Sequence, residues 1–345
     1  MTTLAHDTQG VTADRLRMTS GLAFAVVSAT AFGLSGPLAR GLLDTGWSAG
    51  AIVLVRVAVA ALVVTPFGAL ALRGRWSLLR SNAGLIVLYG GLAVAGAQFC
   101  YFSAVAHMQV GPALLIEYTA PVAVVVWLWL RHGQRPTSVT LVGAGIAAVG
   151  LVLVLDVLSG AELSTTGVLW ALAAMVGAAS YFVISADESN GLPPLALAAG
   201  GLCVGTVVLG LLGLAGVLPM HTASASTTYI GRPFAWWVPL MVLGLVTAAL
   251  SYTTGIAAGR RLGSRLASFV ALLEVVTAVG FAWLLLDELP RSVQMLGGLL
   301  ILAGVVTVKL GEPAVRMQAA PLVDPELGTE EPGGRPAVVR SELTH

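Results

Sequence analysis

Charge is scarce in this 345-residue chain: Asp, Glu, Lys and Arg together make up 10%, against about 25% in soluble domains. With 57% hydrophobic residues and a mean hydropathy of +0.89, that scarcity excludes a soluble enzyme. There is one lysine, Lys309, and the net charge is +1. No basic block exists to grip nucleic acid or to bind anionic lipid strongly. Cysteine is limited to Cys100 and Cys203, both inside apolar runs, where they read as small buried hydrophobes rather than a disulfide or metal pair. Phosphate loops, metal-ligand clusters and nucleophile triads are lacking, so ATP hydrolysis, a bound metal or another cofactor is not expected, nor is an enzyme. The little charge gathers at the ends, with residues 1–19 holding four and 311–345 holding nine of the 35 charged residues.

What the chain has instead is long apolar runs. Crossing ~30 Å of hydrocarbon takes about 20 apolar residues in a helix. Ten segments meet this, at approximately 20–42, 46–70, 82–105, 109–130, 138–155, 165–185, 193–218, 234–258, 264–286 and 290–309. They are continuous rather than alternating, which excludes a transmembrane β-barrel. The first run, Met18 to Leu43, is too long for the ~7–15-residue apolar core of a secretion signal and is read as a retained helix. Residues 1–19 and the Pro- and Gly-rich residues 311–345 read as disordered tails.

An internal repeat organises the ten segments. Adding 154 to a residue number, without gaps, maps Gly90 to Gly244, Trp129 to Trp283, Pro136 to Pro290, Gly143 to Gly297 and Gly150 to Gly304. Residues 20–156 and 165–310 then form two copies of a five-helix unit. An odd number of spans turns the second copy upside down in the membrane. The expected fold is therefore an all-α polytopic membrane protein of ten transmembrane helices in two inverted five-helix repeats.

Basic residues give an independent indication of orientation, because Arg and Lys are retained in cytoplasmic loops. Arg131 and Arg135 map onto Leu285 and Leu289, whereas Ala106, His107 and Gly111 map onto Arg260, Arg261 and Arg265. With the N-terminus inside, only Arg40, Arg232 and Arg291 fall outside, against fourteen inside. Both termini are expected in the cytoplasm.

Arg56 in the second helix, Pro121 in the fourth, Leu273-Glu274-Val275 through Leu286-Asp287-Glu288, and Gly297 and Gly304 in the tenth resemble the EamA-type branch of the drug/metabolite transporter superfamily. The likeness covers roughly residues 20–310. Val275 stands where the family usually has proline, and Asp287 where glycine usually precedes Glu288. The stretch Leu115-Ile116-Glu117-Tyr118-Thr119-Ala120-Pro121 is most similar to amino-acid exporters related to the threonine/homoserine exporter. The resemblance implies a bacterial-type inner-membrane carrier that exports small metabolites by alternating access, its cavity lined by helices 1, 3, 4, 6, 8 and 9. The implied partners are a small-molecule substrate, the lipid bilayer, protons as candidate coupling ion and a second copy of the chain as candidate homodimer. The rival readings are a non-transporting membrane accessory protein and an exporter of hydrophobic cations or lipids.

Arg56, Glu117 and Glu274 are ionisable groups deep inside spans, where a charge costs ~2.5–3.5 kcal/mol on insertion scales and needs a partner or a task. Arg56 reads either as a structural ion pair or carbonyl clamp, or as a contact for an anionic or zwitterionic substrate. Glu117 lies one turn before Pro121, which cannot donate a backbone hydrogen bond to the Glu117 carbonyl; it is the proton-coupling candidate, with a fixed structural role as the alternative. Glu274 is a substrate-binding or helix-bonding residue, and Glu288 an interface residue. Gln98, Tyr101 and Tyr252, the last being the repeat mate of Gln98, are candidate cavity residues, with packing as the alternative. Gly33, Gly36, Pro37, Pro121, Gly143 and Gly297 are hinge or packing positions.

Overall fold

The computed structural model describes residues 3–120, 137–154, 164–187 and 189–311. Pro121, Arg131 and Arg135 lie outside the described residues. The chain runs through α1 (Thr3–Gly33), α2 (Ser35–Leu43), α3 (Ala49–Ala71), α4 (Ser77–Ser81), α5 (Ala83–Leu88), a π-helical segment Tyr89–Gly96, α6 (Ala97–His107) and α7 (Val110–Glu117). It continues with α8 (Ser138–Val154), α9 (Thr165–Ala186) and α10 (Pro194–Leu214). A hairpin of β1 (Thr227–Tyr229) and β2 (Arg232–Phe234) follows, then α11 (Trp237–Gly244), a second π-helical segment Leu245–Leu250, α12 (Ser251–Ala271), α13 (Leu273–Leu286) and α14 (Ser292–Gly311).

Among the described residues six helical stretches are long and apolar enough to cross a membrane, beginning at Leu16, Ala49, Ala83, Thr165, Pro194 and Trp237. Three shorter apolar helices begin at Ser138, Leu273 and Ser292. Large apolar side chains such as Leu62, Val207, Leu211 and Leu299 point outward and are exposed. Such a surface suits lipid, and the helical backbone satisfies its own polar groups there.

Local chemistry sets the helix starts. The Ser48 hydroxyl accepts from the Ala51 amide at the head of α3, and Ser164 accepts from Gly167 at the head of α9; Pro194 opens α10, where its missing N–H costs nothing. At the end of α9 the Ser189 hydroxyl and the Ser189 amide, the latter at 2.9 Å, donate to the Asp187 carboxylate and hold its carboxyl below its ordinary value. The first apolar run is broken at Leu34, between Gly33 and the Ser35-Gly36-Pro37 start of α2.

Four boundaries differ from expectation. The first helix starts at Thr3, so residues 3–19, expected as a disordered tail, continue the apolar run backward as helix. The segment expected at 234–258 continues as helix to Ala271, and the segment expected to start at 264 starts at Leu273. Arg260 and Arg261 end the apolar stretch, but arginine is a good helix former and does not end a helix. The segment expected to extend to 218 ends at Leu214, with Gly216 left-handed at φ +71°.

The hairpin interrupts an otherwise helical chain. Its turn, Ile230-Gly231, has φ of +53° and +65°, the pair of positive values that two-residue hairpins favour. It is tied down by the Ile230 amide donating to the Leu285 carbonyl and by the buried Tyr229 hydroxyl donating to the Leu38 carbonyl at 2.6 Å. The segment before it is strapped across the start of α3: Trp47 donates to the Ala223 carbonyl at 2.8 Å, and Ser48 to that of Pro219 at 2.6 Å. The hairpin and this segment are thereby tied to α2, α3 and α13.

The packing pairs correspond between copies: α1 lies against α12 as α9 lies against α6, and α3 pairs with α10 as α8 pairs with α14. The α8–α14 contact is backbone to backbone. A Cβ added to Gly143 would meet the Gly304 carbonyl oxygen at 2.7 Å, and one on Gly150 would meet that of Gly297 at 2.6 Å. Adding 154 takes Gly143 to Gly297 and Gly150 to Gly304, so exchanging the copies turns one pair into the other. Only glycine permits so close an approach, which in lipid is a main source of helix association.

Candidate functional site

The π segments fall in one register. The second, Leu245–Leu250, maps by 154 onto Gly91–Gly96 and ends where the first one ends. A π turn widens the helix and disturbs its bonding ladder, so carbonyls there accept side-chain donors, and such turns gather at functional sites. Here the Ala93 carbonyl accepts from the Tyr252 hydroxyl at 3.3 Å, and its repeat mate, the Thr247 carbonyl, accepts from the Arg56 guanidinium. Arg56 also donates to Gln98 Oε1, and Phe102 lies under its guanidinium at 5.2 Å. Its Nε has no hydrogen-bond partner among the described residues.

Beside this junction lies a chamber of about 90 Å³. It holds a few waters or a small head group, well below the ~300–1,000 Å³ of pockets for drug-sized ligands. Its walls come from both copies: Ser28 and Phe32 of α1, Gln98 of α6, Glu117 at the end of α7, Tyr181 and Ser185 of α9, Tyr252 of α12 and Glu274 of α13. Small residues make the space. Gly255 is one, and a Cβ there would lie 2.7 Å from the Ser28 hydroxyl.

Glu117 is 8% exposed, and among the described residues no hydrogen bond or ion pair to its carboxylate is found. Glu274 Oε2 accepts from the Tyr118 hydroxyl at 2.7 Å, which ties the end of α7 to α13. The rest of the wall is aromatic. Phe32 and Tyr181 meet Tyr252 edge-on at 5.2 and 5.8 Å, and Phe182 meets Tyr181 at 5.4 Å.

Of the six candidate binding residues, the structure brings Gln98, Glu117, Tyr252 and Glu274 into the chamber. Arg56 and Tyr101 are not in its wall. Arg56 is wholly buried behind Gln98, and Tyr101 turns its ring toward Gly36 of α2. Gly33 backs onto Thr277 and Ala278 of α13. Tyr118, Tyr181, Phe32 and Phe182 belong to the wall without having been singled out as binding residues. Of the four, Tyr118 has an advance signal, its place next to Glu117 in the sequence. Cys100 and Cys203 are free thiols. Among the described residues no group of His, Cys, Asp or Glu could hold a metal.

At the strapped end, Arg40 donates to the Val105 carbonyl at 2.8 Å and pairs with Asp44 at 3.1 Å. Near them burial pushes the Glu288 carboxyl above its ordinary value, with Arg40 and the Val110 amide opposing the shift.

A multi-pass helical membrane protein with a largely apolar chamber that carries two carboxylates between two similar halves is built as a carrier of small molecules. The EamA-like transporter family matches twice, over residues 19–156 and 165–310. The chain belongs to the EamA-like transporter family. Similar proteins include the "Probable terminal-alkyne amino-acid exporter" of Streptantibioticus cattleyicolor, 27% identical over 278 residues, or 79% of this chain and 87% of that one. An "Uncharacterized transporter" of Archaeoglobus fulgidus is 27% identical over 290 residues, or 84% of this chain and 96% of that one. A solved crystal structure shares the fold with a TM-score of 0.56 at 21% identity, over 84% of this chain and 96% of its own.

Proposed function

We propose that the protein exports a small, amino-acid-like metabolite by alternating access of two inverted five-helix repeats across a bacterial-type inner membrane, with both termini cytoplasmic. The observation that carries this reading is a chamber shared by the two halves, with the repeat mates Gln98 and Tyr252 in one wall. Secondary carriers bind solute at such a repeat interface and rock around it. The inverted arrangement is supported by the exchanging glycine pairs of α8 and α14, by the π segments in one register and by the distribution of arginine. An amino-acid-like solute is supported by the exporter of Streptantibioticus cattleyicolor and by the Leu115–Pro121 stretch.

Proteoliposomes loaded with radiolabelled threonine or homoserine test the function. Efflux above that from empty-vesicle controls is expected; no flux of any amino acid in a panel overturns the carrier reading in favour of an accessory protein. Orientation is tested by introduced cysteines: Arg75→Cys and Arg261→Cys should label from the cytoplasmic side and Asp287→Cys from outside. Outside labelling at Arg261→Cys would sink the inverted arrangement. In the same reading Glu117 couples flux to protons, so Glu117→Gln should fold and still bind solute, at reduced affinity, yet lose its response to a pH gradient. An unchanged response removes the coupling role.

A further inference from the structure

We propose that the chamber recognises the protonated amine of its solute and does not require a carboxylate. The proposal rests on the reading of the chamber as the transport site and names the group that the site selects.

The wall carries two acidic side chains, Glu117 and Glu274, and among the described residues lining it there is no lysine, arginine or histidine. The nearby cation is already engaged. Arg56 spends its two terminal nitrogens on Gln98 and on the Thr247 carbonyl and lies with its guanidinium on the Phe102 ring, outside the wall. A solute carboxylate entering the chamber would therefore find hydroxyls, not a guanidinium fork, and would face two carboxylates.

An ammonium group finds the opposite. Glu117 is more than nine-tenths buried and lines the cavity, with no hydrogen bond or ion pair to a described residue. A buried carboxylate left in that state lacks the partner that buried charges need. Glu274 has Oε2 occupied by Tyr118, which fixes its orientation. Phe32, Tyr181 and Tyr252 share the wall with the two carboxylates, and aromatic rings attract cations most strongly where water is excluded. The chamber's size, about 90 Å³, suits an ammonium head with a short apolar body. Amino acids satisfy the site through their amine, and their carboxylate gains no dedicated donor from the serines, because the Ser28 hydroxyl already donates to the Ser251 carbonyl at 2.9 Å and the Ser185 hydroxyl to Tyr89 Oη at 3.5 Å.

The test uses the full chain in detergent micelles and isothermal titration calorimetry with three small probes that carry an amine, a carboxylate or both: n-propylammonium, propionate and 2-aminobutyrate. n-Propylammonium and 2-aminobutyrate are expected to bind and to compete with each other, and propionate to do neither. Glu117→Gln should weaken n-propylammonium at least tenfold. If that variant does not fold, Glu274→Gln and the discrimination by the unaltered chain carry the test. Binding of propionate as tight as that of n-propylammonium, or 2-aminobutyrate binding that n-propylammonium does not displace, overturns the proposal. The two readings fail separately: amine binding without flux in proteoliposomes removes the transport function, whereas amino-acid flux without n-propylammonium binding removes only the amine-selective site.

Discussion

The two copies share their backbone devices and differ in the side chains mounted on them. In the helices that carry the chamber, both copies have a π segment in the same register, and both offer its carbonyl, Ala93 or Thr247, to a donor from another helix. The donors are unlike: a neutral tyrosine hydroxyl at one and a charged guanidinium at the other. At the mates Gln98 and Tyr252 one copy supplies an amide and the other a ring, and at the mates Ala120 and Glu274 one supplies a methyl and the other a carboxylate. Duplication thus accounts for the scaffold, and departure from duplication accounts for the polarity of the chamber.

The largest expected effect comes from breaking the junction on its charged side. Arg56→Ala removes a wholly buried side chain and leaves Gln98 Oε1 without that donor and the Thr247 carbonyl without its guanidinium. Large-to-small changes in cores cost roughly 2–5 kcal/mol. Tyr252→Phe breaks the other side and removes one long, neutral hydrogen bond, of the kind worth about 0.5–1.5 kcal/mol. Thermal unfolding of both variants in detergent checks the order. Equal losses would mean that the two carbonyls are held alike and that the guanidinium adds nothing to the comparison.

Next comes the interface at which the copies meet through glycine. Gly143→Ala places a methyl 2.5 Å from the Val308 amide nitrogen and 2.7 Å from the Gly304 carbonyl, both backbone atoms that cannot swing aside. Overpacking of this kind costs typically 1–3 kcal/mol. Two residues along, Gly145 has nothing within 4 Å of an added Cβ, so Gly145→Ala is expected to be neutral or to stabilise by up to about 1 kcal/mol through helix propensity. The pair is read by yield and unfolding temperature, and a harmless Gly143→Ala would separate α8 from α14.

Much of this arrangement is legible in the sequence because it violates a local rule. A carboxylate, an amide or an arginine in an apolar run is an anomaly, and so is glycine recurring at matched positions, so Glu117, Glu274, Gln98, Arg56 and Gly143 stand out. Depth along the helix is readable in this way. Direction around it is less so, because α3 and α6 are apolar on most faces; Arg56 and Tyr101 accordingly turn away from the chamber although they lie at its depth. The rings of Phe32 and Tyr181 leave little trace, since an aromatic facing a cavity and one facing lipid have the same hydropathy. The π segments leave none, because the sequence Tyr89–Gly96 suits an i→i+4 ladder equally well. The hairpin did have a signal, the Ile230-Gly231 pair between Thr-Thr-Tyr and Arg-Pro-Phe, but it lies in a short loop where hydropathy is silent.

The corner after α13 sharpens the comparison at smaller cost. Asp287 has φ +56°, a left-handed conformation that glycine adopts without penalty, and it lets the Glu288 amide reach back to the Ala282 carbonyl. Its mate in the first copy is Gly133. Asp287→Gly is therefore expected to stabilise the protein by up to about 1 kcal/mol. A loss on the same unfolding assay would mean that the aspartate side chain holds the corner.

The smallest effect concerns Glu288, whose mate in the first copy is the uncharged Gln134. Its carboxyl is pushed up chiefly by burial and further by Asp44, and its Oε2 is buried without a hydrogen-bond partner among the described residues. A carboxyl whose folded-state pKa lies above the unfolded value, about 4.3, binds more protons in the folded state than in the unfolded one. Between those two values the free energy of unfolding falls as pH rises, and above the folded value the loss is complete. Acidification toward the unfolded value restores it. Glu288→Gln keeps the shape and removes the titration, so the gap between variant and parent should open as pH rises from about 4 to about 7, with the variant the more stable at the upper end. Unfolding temperatures of the two proteins across that range measure the gap. Parallel curves would mean that the charge carried by the second copy at this corner is as harmless as the amide in the first.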